Sequence, residues 1–411
     1  MFYRKVLNDF LFYFFLLFAV GSTFSIALGQ SALGISLALF IAAIILKKYN
    51  PFIAELKWFY LPVLLYLVWM VISSLMGDTP LRSVKILKEE WLFLAVPIGV
   101  YVMYRENFRK AILYAFAGAV LVVSIYGLIQ HFTGVYWFKN TPPYEAFNFG
   151  YRVKGFFAHR LTFGNYYATA SIFILAYSWY NFKMLTKNSR IFFITAGVLS
   201  FIVTLLSYSY GPILAVVATA LVLFLVKSKI KGRLIVGSAL VILLLAIILT
   251  PSIRDRVFEK IGKETDVLDE ASRFYIWDTS LDMIGESPIF GVGQGNYIDK
   301  FKLLRPDQRV HVHAHNDFFN LAALGGLPGL LFYLSIWFGL FYLGRKTKSA
   351  EAKAALWASA AFLVTSLTEA TFADEEVRQM LMFIWAIGLF ELYPKMEPKV
   401  DPTVKALDKQ N

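Results

Sequence analysis

Apolar residues arrive in long blocks separated by polar connections, and about twelve blocks approach the roughly 20 residues that a helix needs to cross a bilayer. They fall near 7–27, 31–47, 59–76, 90–104, 110–133, 163–182, 191–208, 211–227, 233–250, 320–344, 354–371 and 379–394. The pattern predicts an all-α, polytopic membrane protein with about 12 transmembrane helices. One integral membrane domain covers 1–394, and a polar cytoplasmic tail covers 395–411. Met1–Lys5 followed by an apolar run has the outline of a secretory leader. No small-residue cleavage site follows, so the run reads as the first helix.

Three connections are long: 77–89, 134–162 and, above all, 251–314. The last begins at Pro251 and is mixed in charge from Arg254 to Glu270. It then predicts an amphipathic helix over 271–285 with Phe274, Trp277, Leu281 and Ile284 on one face, capped by Asp269 or Ser272. After Pro288 comes Gly291-Val292-Gly293-Gln294-Gly295-Asn296, which has the look of a phosphate-cradling loop. It follows no predicted strand and opens no βα unit, so a turn returning the chain to the membrane is the expected role. Its backbone amides remain able to meet a phosphate.

Composition supports lipid as the solvent, with 58% hydrophobic residues and a mean hydropathy of +0.59. A net charge of +12 would suggest nucleic acid in a soluble chain, but here the cations sort by side and no nucleic-acid partner is expected. With both termini inside, the cytoplasmic segments hold 23 of the 40 Lys and Arg residues, and every cytoplasmic connection is basic. The others concentrate in the three long outer loops, while the short outer links at 28–30 and 209–210 have none. Cysteine is absent, which excludes disulfides, thiolate metal sites and cysteine nucleophiles.

The centres of the apolar blocks carry no Asp, Glu, Lys or Arg. Glu369, Glu391, His131 and Asp317 fall near block ends, where a water-facing position is expected. A proton or ion relay therefore has no evident path. A small-anion transporter remains the alternative from another class, favoured by the basic outer loops. The empty block centres and the lack of Pro/Gly-broken helices in matched halves argue against it, while a structural scaffold leaves the outer cations unexplained.

Those cations are Arg82, Lys85 and Lys88 at helical spacing, then Arg152, Lys154 and Arg160, then Arg273, Arg305 and Arg309. Guanidinium forks match phosphate oxygens, so together they suit a diphosphate, although any one alone reads as a headgroup contact or a surface ion pair. His311-Val312-His313-Ala314-His315 gathers three of the five histidines. In an extended segment the three imidazoles would share a face, as in a metal site, with Asp317 the only close carboxylate. A histidine also serves as a general base without any metal.

His315-Asn316, nine residues and Gly326 resemble the hallmark of the O-antigen ligase and polymerase superfamily of membrane glycosyltransferases. Arg273-Phe-Tyr-Ile-Trp277, followed by Ser287-Pro-Ile-Phe-Gly291-Val-Gly293, resembles its long-loop pattern, and Arg152-Val-Lys-Gly155-Phe its earlier arginine loop. The resemblance implies transfer of a glycan from undecaprenyl diphosphate to lipid A–core or to another glycan, at the periplasmic face of the inner membrane, without metal or other cofactor. His315 would be the base, with Asn316 and His313 beside it, and Arg152 and Arg273 would bind the diphosphate. Ser209-Tyr210-Gly211 stands where the family often has Ser-Arg-Gly, and His159-Arg160-Leu161 where it has His-Pro-Asn. Arg160, or Arg82 with Lys85, would then replace the missing charge. The compact motif and modest length favour a ligase over a polymerase. Expected partners are the lipid-linked glycan donor, the lipid A–core acceptor and membrane lipids.

Overall fold

The computed structural model describes residues 2–47, 53–137, 150–227, 229–230, 262–263, 272–306 and 308–393. The apolar block at 233–250, the charged stretch Arg254–Glu270 apart from 262–263, the cap candidate Asp269, and the tail 395–411 lie outside the described residues. Every regular element among them is helical.

The helices are α1 (Phe2–Gly21), α2 (Ile26–Lys47), α3 (Lys57–Met76), α4 (Pro80–Ile86), α5 (Ala95–Met103), α6 (Glu106–Thr133), α7 (Arg160–Tyr180), α8 (Lys187–Leu205) and α9 (Tyr210–Lys227). After the long loop begins come α10 (Arg273–Glu286), α11 (Tyr297–Leu304), α12 (Asp317–Gly344), α13 (Ala350–Ser366) and α14 (Glu375–Leu389). Among the described residues five segments are long and apolar enough to cross a membrane: Ile26–Leu46, Ala54–Met76, Glu106–Thr133, Lys187–Leu205 and Asp317–Gly344. Val6–Gly21 and Tyr210–Val226 are shorter apolar helices. The chain is a multi-pass membrane protein of helices.

Several boundaries differ from the hydropathy reading. The first link is Ser22–Ser25 rather than 28–30, because the Ser25 hydroxyl accepts the Leu28 N–H and starts α2 early. The block at 90–104 is not one regular helix: Leu87–Leu94 winds as a 3-10 segment before the nine-residue α5, whose residues are all buried except the partly exposed Pro97. The block at 354–371 ends at Ser366, which frees 367–374 to form a loop, and the last helix begins at Glu375 rather than 379. From Val377 to Leu389 every residue of α14 is buried, as expected of a central helix packed on all sides; α5, α7 and α13 surround it.

The connections gather at two ends. At one, the Asp78 N–H donates to the Val292 carbonyl (3.1 Å), the Val153 N–H to Leu206 (3.0 Å), the Thr162 hydroxyl to Asp374 (2.7 Å), and the Gln30 amide to Glu375 (2.7 Å). At the other, Arg109 pairs with Glu351 (3.1 Å), and the Lys348 and Ser349 N–H groups donate to Glu391 (2.9 Å each). The first end carries the loops that the charge pattern assigns to the outside.

Helix α12 explains the His-Asn-x9-Gly spacing. Asn316 is its N-cap, accepting the Phe318 and Phe319 N–H groups at 2.9 and 3.2 Å. Gly326 breaks the helix with φ 69° and ψ 176°, a conformation essentially reserved for glycine. The turn at 288–293 lies in that break: Val292 and Gly293 N–H donate to the Ala323 and Leu324 carbonyls, and Leu327 N–H donates to Pro288. A methyl group on Gly326 would sit 1.9 Å from the Ile289 oxygen, and one on Gly291 (φ 67°) would sit 2.5 Å from the Gly326 nitrogen. The glycines after Pro288 thus form the turn that the sequence suggested.

Candidate active site

Helix α10 enters this end of the molecule at Arg273. Ser272 is its N-cap, with its hydroxyl accepting the Tyr275 N–H at 3.0 Å. The buried face is not the predicted one. Tyr275, Ile276, Thr279, Ser280 and Met283 are buried, whereas Phe274 and Leu281 are exposed. The inward Thr279 and Ser280 hydroxyls return hydrogen bonds to the carbonyls of Tyr275 and Ile276, and Ser280 also meets the Tyr297 hydroxyl, so these polar groups are buried without penalty.

His315 is fixed from both sides. The Ala314 carbonyl accepts the Trp277 indole N–H (3.1 Å), and the Ala314 N–H donates to Asn320 (3.3 Å). On the other side the Asn316 amide donates to the Leu367 carbonyl (3.0 Å). The buried Asp317 carboxylate accepts the Thr371 hydroxyl (2.8 Å) and the Phe372 N–H (3.0 Å). Between these anchors His315 is held at φ 48°, left-handed for a residue with a side chain.

The loop after α13 supplies what sequence reading missed. Glu369, buried rather than water-facing, accepts from His315 Nδ1 at 2.9 Å through one oxygen and from Arg273 at 2.8 Å through the other. Donation from Nδ1 fixes the tautomer and leaves Nε2 as the basic nitrogen. Burial pushes the Glu369 carboxyl up, but the His315 hydrogen bond and the Arg273 charge outweigh it and hold it below the ordinary carboxylate range. The carboxylate is therefore ionised at neutral pH. Asp317 and His131 are likewise buried, the latter with Nδ1 2.8 Å from the Tyr151 carbonyl oxygen.

His313 lies against His315, with ring centroids 4.2 Å apart, and its Nδ1 accepts the His315 backbone N–H at 3.1 Å. Burial and the neighbouring His315 push its pKa down to about 4. The turn at His315 replaces the extended strand that a three-histidine metal face requires. Among the described residues no three His, Asp or Glu side chains are grouped for a metal.

A pH dependence follows. The unfolded His313 titrates near 6.5 and the folded one near 4, so in between the unfolded chain binds the extra proton and stability rises with pH. Acidifying through that window should cost about 2 kcal/mol after allowance for solvent screening. Apparent melting temperatures across this range should fall with acid in the wild type and flatten in His313→Asn, whose side-chain oxygen still accepts the His315 N–H. An unchanged slope would contradict this.

Of the expected residues, the structure joins Arg273, His313, His315 and Asn316. Arg82 is ion-paired with Asp299, and Lys85 is exposed on the same short helix α4. Arg160 donates to the Tyr208 carbonyl at 2.6 Å. Arg152 follows Tyr151, whose carbonyl meets His131. The start of α9 also reaches the site: a methyl group on Gly211 would sit 2.2 Å from the Thr368 hydroxyl, next to Glu369. Tyr210 is exposed there.

Residues 195–334 match the family model described as O-antigen ligase, 140 of the 411 residues. The matched segment contains Ser209–Gly211, Arg273, His315, Asn316 and Gly326, and ends before Glu369. An uncharacterized protein of Haemophilus influenzae is 24% identical over 272 residues, covering 62% of this chain. The match spans 63% of that relative's own length.

Proposed function

We propose that this chain, a multi-pass membrane protein whose residues 195–334 place it with the O-antigen ligase-type superfamily, is a glycosyltransferase that moves a glycan from undecaprenyl diphosphate to lipid A–core at the periplasmic face of the bacterial inner membrane. The observation that carries this reading is the His315–Glu369–Arg273 cluster, a base and a cation joined through one buried carboxylate. Both termini would be cytoplasmic, with the cluster and its loops outside.

In this reading His315 Nε2 removes the proton of an acceptor hydroxyl. The oxygen attacks the anomeric carbon as the bond from that carbon to the phosphate oxygen breaks. Undecaprenyl diphosphate leaves as an anion, and the configuration at the sugar inverts. Arg273 stands beside the base, where its remaining guanidinium donors suit the departing diphosphate, with Arg152 the further candidate from the loop before α7. Glu369 holds the imidazole and stabilises the imidazolium that forms, the part a carboxylate plays beside a catalytic histidine elsewhere.

Glu369 is thus a positioning residue. Glu369→Gln should lower kcat about 100-fold or more, with a smaller change in the donor KM, and Glu369→Asp should recover part of it. Equal loss of activity and of folded protein in both variants would reduce Glu369 to a structural role. A polymerase would share the donor and base and differ in its acceptor. A deletion strain separates the two readings. Unmodified core with glycan left on its lipid carrier supports the ligase, whereas core still capped by single repeat units overturns it.

A further inference from the structure

A cavity of about 350 Å³ is lined by His313 but by neither Glu369 nor Arg273. That volume is in the range of small-ligand sites. Its walls come from α4 and the segment after it, the 294–298 turn, the start of α12 and the start of α14. Arg378, only 3% exposed, donates to Glu90 at 3.0 Å and to Glu89 at 3.4 Å and lies 5.2 Å from the Phe372 ring centre. Its Nε has no hydrogen-bond partner among the described residues, nor have the second Glu90 oxygen and the Gln294 side-chain nitrogen, all three fully buried atoms. Unsatisfied buried donors and acceptors are costly, and their concentration around one cavity marks a place built for a ligand that both gives and takes hydrogen bonds.

We infer that this cavity is the saccharide subsite for the acceptor, holding a neutral, polyhydroxylated sugar ring against His313 and presenting one hydroxyl to His315. The inference rests on the glycan-transfer reading above. Charge selects the ligand class. Of the cations on the walls, Arg378 is paired with Glu89 and Glu90 and Arg82 with Asp299, and Asp317 adds a further carboxyl, so a diphosphate finds no unpaired cation among these wall residues. Glu89 and Glu90 are already engaged by Arg378, which leaves a cation little to gain. Hydroxyl groups satisfy both kinds of open valence at once, and the aromatic walls Tyr66, Tyr297 and Phe372 suit the apolar face of a sugar.

Two variants probe the cavity without touching the base. Gln294→Leu removes an unpaired donor, and Val312→Trp places an indole at the rim from a residue that is 59% exposed. The full-length protein in nanodiscs is mixed with glucose, galactose or N-acetylglucosamine and examined by saturation-transfer NMR. At least one hexose should show transferred saturation in the wild type and in His315→Asn, and lose it in Gln294→Leu and Val312→Trp. Excess inorganic pyrophosphate should leave the signal in place. In transfer assays both cavity variants should raise the acceptor KM about tenfold with the donor KM unchanged. Absence of signal for all three sugars, equal signal in both cavity variants, or displacement by pyrophosphate would overturn the assignment. Full transfer by His315→Asn with the sugar signals as expected would instead remove the catalytic reading and leave the cavity standing.

Discussion

His315→Asn is expected to lower glycan transfer about 100- to 10,000-fold, the usual worth of a positioned general base, while leaving the protein folded. Asparagine is the informative replacement because it tolerates the left-handed backbone found at φ 48°. Its amide can still meet Glu369, so the Arg273–Glu369 pair keeps its surroundings. What is lost is the basic nitrogen that Nδ1–H donation to Glu369 leaves free. Donor binding should be little changed, since Arg273 is untouched, so the loss belongs in kcat. The check is initial-rate transfer by the purified variant at saturating donor. A rate within a few-fold of wild type would remove His315 from the chemistry.

The second large effect is structural. Gly326→Ala should destabilise the protein by about 3 kcal/mol or more, because the added methyl meets the Ile289 carbonyl oxygen at 1.9 Å in a glycine-only backbone conformation. That carbonyl belongs to the turn locked to α12 by three backbone hydrogen bonds, so neither partner can move alone. The variant should show a lower apparent melting temperature and a smaller yield of monodisperse protein. Gly285→Ala is the matched control. It lies in α10 with nothing within 4 Å of the added methyl and should be neutral or stabilising by up to about 1 kcal/mol. Similar behaviour of the two variants would mean that the break at Gly326 is not essential.

The contrast between these glycines shows what was legible in the sequence. Apolar blocks announce helices, and the resemblance carried by His315-Asn316 and Gly326 pointed to the candidate site, where the structure finds Asn316 capping α12 and Gly326 breaking it. The buried face of α10 was not legible. Hydropathy points Phe274 and Leu281 inward, but Thr279 and Ser280 satisfy their hydroxyls on their own helix and can be buried in their place. Glu369 was hidden for a different reason. It lies 54 residues from His315, at the edge of an apolar block, and only the early end of α13 turns it inward. An acidic residue at the outer edge of such a block was the available signal. Arg378 escaped in the same way, since its partners Glu89 and Glu90 are nearly 290 residues away.

The outer cations teach a related lesson. Sequence alone groups them by sign and side. The structure shows Arg82 paired with Asp299, Arg305 with Asp278 and Asp282, Arg160 on a carbonyl, and Arg273 on Glu369 beside His315.

The measurement that bears most directly on the whole account is reconstitution. Purified protein in lipid is incubated with undecaprenyl-diphosphate glycan and lipid A–core, with no nucleotide added. A joined glycan–core product, with undecaprenyl diphosphate released in equal amount and neither formed by His315→Asn, is the predicted result. Folded protein that yields no joined product, or a product formed equally well without His315, would contradict it.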